Sequence, residues 1–171
     1  MSAHFDTRDI GISLPGDWSV TVCAWRGCCI EVFSRVEHSI ADCLAALDIA
    51  GLSLDRDARS PAPANRLRAL ANSLDTYSFL GHERKAKRLL SDWKSLHETR
   101  ALLAHGRVVP RSDGIIIHHR TFDGKSEDLK DPVSMSAMEM LALLEELQRV
   151  QHSIYNQLGQ IKAAATKAKA V

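Results

Sequence analysis

Apolar positions along the chain fall into four stretches that share the period of a helix. Between Trp18 and about Ala50, Val22, Trp25, Cys29, Val32, Val36, Ile40, Cys43 and Leu47 recur in steps of three and four, which lays one stripe along a helix. Pro15 and Gly16 break the chain ahead of it, and Asp17 is placed to cap it. Gly51 and the segment LSLDRDARSPAPA form a loop stiffened by Pro61 and Pro63. A second helix is predicted from about Pro63 to Leu80, with Leu67, Leu70, Leu74 and Tyr77 on its stripe and Gly81 as its stop. The third covers His82 to Ala104, with Leu89, Trp93, Leu96, Arg100 and Leu103 on one face. Gly106 stands where a left-handed C-terminal cap is expected.

The pattern then changes. RVVP and IIIHHRTF are short β-prone runs around an Asp113-Gly114 turn signal, which predicts a hairpin with Pro110 on an edge strand. After the polar loop DGKSEDLKDP, Ser136 and Glu139 form a capping box that opens a fourth helix, striped by Met140, Leu144, Leu147, Gln151, Ile154, Leu158 and Ile161. These elements predict an all-α fold: an antiparallel four-helix bundle with a β-hairpin inserted between the third and fourth helices. The expected organisation is an N-terminal arm over 1–16, a helical domain over 17–161, and a flexible tail over 162–171, where KAAATKAKAV carries no apolar period. The first helix is longer than a compact bundle needs, and surplus apolar helix surface points to a partner, so a homodimer built across helices is expected.

Composition narrows the function. With 171 residues and 45% apolar content, one domain builds a core without disulfides. A net charge of +1 advertises neither a nucleic acid nor an anionic membrane, so a nucleic-acid site would be local. Aromatic residues are 5% of the chain, which excludes a surface that stacks several bases. Cys23, Cys28, Cys29 and Cys43 match no zinc spacing, and the neighbouring His118 and His119 point to opposite faces of a strand, so no metal and no cofactor are expected. The N-terminus lacks the pattern of a signal peptide, and no apolar run reaches the ~20 residues of a membrane span. The chain reads as a cytoplasmic protein of bacterial type that does not engage a membrane.

One stripe contains an anomaly. Arg100 cannot lose its proton and is costly to bury unpaired, so it must face a carboxylate, a cleft or a subunit interface. A structural salt bridge would come from Glu37 or Asp42 on the first helix, or from Glu145 or Glu146 on the fourth. His105 follows five residues later, about 140° around and about 7.5 Å along an ideal helix. The two share a face only if the last turn tightens or unwinds, as Gly106 and Pro110 would allow. A histidine at a helix C-terminus is otherwise a cap favoured by the dipole.

The motif RALLAHG, an Arg and a His with four residues between them at the end of a third helix and a Gly after it, resembles the HEPN domain. The hairpin and long last helix that follow are similar to its stand-alone bacterial members. The resemblance implies a metal-independent endoribonuclease of toxin or RNA-processing type, with a composite site at a homodimer interface. It implies that Arg100 stabilises charge on the scissile phosphate and that His105 moves the proton of an RNA 2′-hydroxyl or leaving oxygen. A cognate antitoxin would be a partner of such a toxin. Ala101 stands where active members usually carry a polar residue, and Arg107 where toxin-type members carry a Tyr. The same resemblance therefore also fits a non-catalytic dimeric interaction or nucleotide-sensing scaffold with Arg100 in a salt bridge.

Further candidate nucleic-acid contacts are Arg107 and, in HERKAKRLL, Arg84, Lys87 and Arg88, with Arg66 and Arg68 of the second helix able to extend the patch. A solvated helix face explains the same charges. His97, three residues before Arg100, is placed to support the pair.

Overall fold

Two helices of 33 residues each, α1 (Asp17–Ile49) and α5 (Ala137–Lys169), form the spine of the molecule. The computed structural model describes residues 17–122, 127–129 and 131–169, so the arm expected over 1–16 lies outside the described residues. α1 and α5 run side by side and parallel. Near their starts the Trp25 indole donates to Met140 O at 2.7 Å. Further on, Arg35 and His38 share a groove with Gln151 and Tyr155, and Lys162 lies near Cys43. The expected alternation of helix directions is therefore not the order seen for the first and last helices. The seam buries Val36, Cys43, Leu47, Leu147, Leu158 and Ile161. Each fully buried Val, Leu or Ile contributes roughly 1.5–3 kcal/mol, against about 0–1 for an exposed ion pair, so the seam dominates the stability.

A four-residue 3-10 turn (Arg56–Arg59) leads to α2 (Pro63–Thr76). α2 stops short of the predicted Leu80 because the chain turns to bury Phe79, which is 2% exposed. Leu80 and Gly81 make that turn with φ of 57° and 85°, and the Leu80 side chain pays strain for it while Gly81 does not. The Glu83 carboxylate accepts from Phe79 N–H at 3.0 Å and closes the turn onto the next helix.

The predicted third helix is two helices. α3 (Glu83–Ser95) and α4 (His97–His105) meet at Leu96, whose N–H reaches Trp93 O at 3.0 Å in a tightened step. No Pro or Gly marks this break in the sequence. α3 runs antiparallel to α5, since Gln157 Nε2 donates to His82 O at 2.9 Å while Asp92, further on, lies near Arg149. Trp93 packs on Phe33 of α1 with ring centroids 5.0 Å apart.

β1 (Arg107–Arg111) and β2 (Gly114–His118) form the expected hairpin, with Pro110 on its edge strand. Arg111 pairs with Gly114, so the loop is Ser112-Asp113, one residue earlier than the predicted Asp-Gly turn. Gly114 lies inside β2, where a Cβ would collide with Met135 O on the neighbouring strand. β3 (Arg120–Phe122), the end of the β-prone run IIIHHRTF, pairs with β4 (Glu127–Leu129), which lies in the segment read as a polar loop. That segment is followed by β5 (Val133–Ser136), which pairs with β2 to complete a three-stranded antiparallel sheet of order β1-β2-β5. The third strand gives the hairpin the support that two strands lack.

The capping box forms as expected: Ser136 N–H donates to Glu139 Oε2 at 2.7 Å, and Glu139 N–H to Ser136 Oγ at 3.2 Å. The tail expected to fray from residue 162 is helical to Lys169 instead, because Ala164 and Ala165 are buried. No helix of the described residues is long and apolar enough to cross a membrane. The chain is mostly helical, with a small antiparallel sheet between α4 and α5.

Candidate functional site

α4 is only nine residues long and too short to be stable alone, so its placement depends on what α1 offers it. Among its described side chains Leu103 alone is fully buried. On the same side, Arg100 points at Glu37: Nε lies 2.5 Å from Oε1, and Nη2 donates to Oε2 at 3.4 Å. The Arg100 side chain is 33% exposed and that of Glu37 15%. Glu37 Oε1 is buried and receives no aligned hydrogen bond, so the guanidinium charge itself is its compensation. Of the four carboxylates considered from the sequence, Glu37 is the one that takes the arginine. Asp42 is exposed, and Glu146 pairs with Arg149 at 2.6 Å.

His105 lies elsewhere. α4 stays regular to its end, with Arg100 N–H on Leu96 O at 3.0 Å and Gly106 N–H on Leu102 O at 2.8 Å. The unwinding that would turn His105 toward Arg100 does not occur, and His105 is exposed about 140° around the axis from the ion pair. Nor does Gly106 adopt a left-handed cap. Its φ of −70° and ψ of 147° carry the chain straight into β1. Glycine is needed there for room, since a Cβ would overlap Leu102 O and lie 2.5 Å from Ile117 Cγ2.

The helix end is capped instead from α1. Arg26 Nε donates to Leu103 O at 2.6 Å, and its Nη2 to Ala104 O at 3.1 Å and Gly106 O at 3.3 Å. A positive charge thus meets the last carbonyls of α4, where the macrodipole favours it. Sequence reasoning missed this residue. No local pattern marks it, because its acceptors lie 77 to 80 residues away in the chain.

Arg107 opens β1, directly opposite His118 on β2, and both side chains are exposed. His105, at the end of α4, and the Arg107–His118 pair, at the adjoining end of the sheet, are all exposed. His97 opens α4, and its side chain lies outside the described residues. Arg84 and Arg88 are exposed and Lys87 is half-buried, all on α3. Along the chain they stand about two to three helical turns before the break at Leu96, and His105 about two and a half turns after it. Arg66 instead ties down the loop before α2, donating to Ser60 O at 2.8 Å.

Cys29 and Cys43 are buried, and burial pushes their thiols up to about 12, which makes them inert at neutral pH. Among the described residues no group of three His, Cys, Asp or Glu side chains is placed to hold a metal ion. No family model, curated protein or solved structure matches this chain.

Proposed function

We propose that this chain is a HEPN-like dimeric interaction module, a four-helix-bundle variant in which α3 and α4 together take the place of the third helix. The observation that carries this reading is the Arg100–Glu37 ion pair. A phosphate could reach the guanidinium only by displacing a carboxylate that is itself largely buried, and uncovering that charge is costly. The alternative carboxylate-free cleft would have been the arrangement for catalysis. Support for a second copy comes from Val20, Val133, Met138 and Leu141, which are 38–77% exposed and lie at one end of the α1–α5 pair. An apolar cluster of this kind fits a partner surface.

A second reading, a metal-independent endoribonuclease with RNA as substrate and an antitoxin as partner, draws on His105, Arg107 and His118 standing exposed. In that reading the two subunits of the dimer would bring His105 of one to Arg100 of the other.

RNA cleavage in EDTA by wild type, Arg100→Ala, Glu37→Ala, the double variant of these two and His105→Ala, with melting curves and light scattering on all five, tests the choice. The module reading expects no cleavage, a dimer, and a loss of about 1–2 kcal/mol for either partner of the ion pair, with strong coupling in the double variant. Cleavage by wild type that disappears in folded Arg100→Ala and His105→Ala would replace it with the nuclease reading.

A further inference from the structure

α2 and α3 lie antiparallel. Asp75, near the end of α2, pairs with Lys87, near the start of α3, and Ala64 and Lys94 line the other end of the seam. Between them runs a groove of about 570 Å³. Its floor is apolar: Leu67 and Leu90 are 6% and 3% exposed, and Ala71 keeps the α2 wall low. Cations edge both walls, Arg68 on α2 and Lys87 and Lys94 on α3. Arg84 and Arg88 extend the α3 edge along the exposed side of the helix.

The charge is not cancelled. Asp57 engages Arg68 and Asp75 engages Lys87, but no ion pair among the described residues engages Arg84, Arg88 or Lys94. An occupant must therefore satisfy two demands together, an apolar stripe for the floor and negative charge along the α3 flank, where Arg84, Arg88 and Lys94 stand.

We infer that the α2–α3 groove docks an amphipathic helix with an acidic edge facing α3, contributed by a partner protein. A phosphodiester chain meets the second demand and not the first, because it gains nothing from a floor of leucine and alanine and finds no aromatic side chain along the groove on which to stack a base. A helix meets both, with its apolar residues at i, i+3 and i+4 against Leu67 and Leu90 and its glutamates beside the cations. The walls from Ala64 to Ala71 and from Lys87 to Lys94 extend about 10 Å, so about twelve residues suffice. The inference stands apart from the reading of α4, because α3 and α4 present separate surfaces.

The test uses the full chain and a fluorescein-labelled synthetic helix of about twelve residues with a leucine stripe and a glutamate edge. Two further probes are a peptide of the same composition with the leucines scattered, and an oligouridylate of matching charge. Fluorescence anisotropy should show the striped peptide binding about tenfold tighter than the scattered one or tighter still. Lys94→Glu, on the exposed rim, should weaken it by about tenfold, and Ala71→Trp, which fills the floor, should do the same. Lys94→Glu carries the test if Ala71→Trp melts early. Equal binding of the two peptides, no binding of the striped one, or indifference to Lys94→Glu overturns the proposal. So does an oligouridylate that binds more tightly than the striped peptide and loses that affinity in Lys94→Glu, which would make the groove a nucleic-acid surface. None of these readouts depends on cleavage or on dimerisation.

Discussion

α3 and α4 read as one helix in the sequence, yet they are held to the molecule by different forces. α3 buries Ala86, Leu90 and Trp93 and turns its basic residues outward. Among its described side chains α4 buries only Leu103, and it is fastened to α1 by guanidinium groups, Arg100 reaching out to Glu37 and Arg26 reaching in to three carbonyls. The lesson is that a shared hydrophobic period does not imply a shared mode of attachment. Apolar burial is non-directional and tolerates small shifts, whereas ionic and hydrogen-bonded attachment fixes angle and register. Of the two, the element that carries His105 is thus the one whose position is set more specifically and stabilised less by burial.

The largest expected effect lies on the α3 side. Trp93→Ala should cost about 4 kcal/mol in denaturant unfolding, because it empties a fully buried site against Phe33. A loss under about 1 kcal/mol would mean that α3 is not held by burial, and the contrast with α4 would fail. Next comes Gly106→Ala, expected to cost about 3 kcal/mol through overlap with Leu102 O and Ile117. A neutral result would show that the exit from α4 has room to move. Arg26→Met keeps most of the side-chain volume and removes three donors, so about 2 kcal/mol should be lost. Hydrogen exchange should then quicken at the amides of Leu102 to Gly106 while those of α3 keep their protection. Uniform loosening of both helices would erase the distinction between them.

The smallest effect is one of pH at the start of α3. Hydrogen bonds from its own backbone amide and from that of Phe79 hold the Glu83 carboxyl below its usual value of 4.5. A carboxyl depressed in the folded state contributes its stabilisation in full above the unfolded value, and the contribution is lost as pH falls through the lower folded value. The Phe79 amide resonance should therefore titrate with a midpoint below 4.5, and Glu83→Gln should flatten that titration. A midpoint at or above 4.5 would show that Glu83 does not close the turn.

Much of this fold is legible in the pattern. The stripe of α1 from Val22 to Leu47, the capping box at Ser136 and Glu139, and the edge position of Pro110 are all local signals, set by residues a few positions apart. β5 was hidden because Val133–Ser136 is short and half polar, and it becomes a strand only by borrowing the free edge of β2. The candidate site was half legible. An arginine on an apolar stripe had to find an anion, and Glu37 was among the carboxylates in reach, but Arg26 was silent because a cap supplied 77 to 80 residues away leaves no local trace.

The pattern of the chain was enough to place α1, the start of α5, the faces both bury, and the need of Arg100 for a partner. These follow from side-chain chemistry and a fixed helical period. Only the tertiary structure decided that α1 and α5 lie parallel, that the third helix breaks at Leu96, that Gly106 and Gly114 are there for close approach and not for left-handed turns, and that His105 faces away from Arg100. Each of those depends on which surface arrives opposite a residue, and that is fixed by packing the whole chain at once.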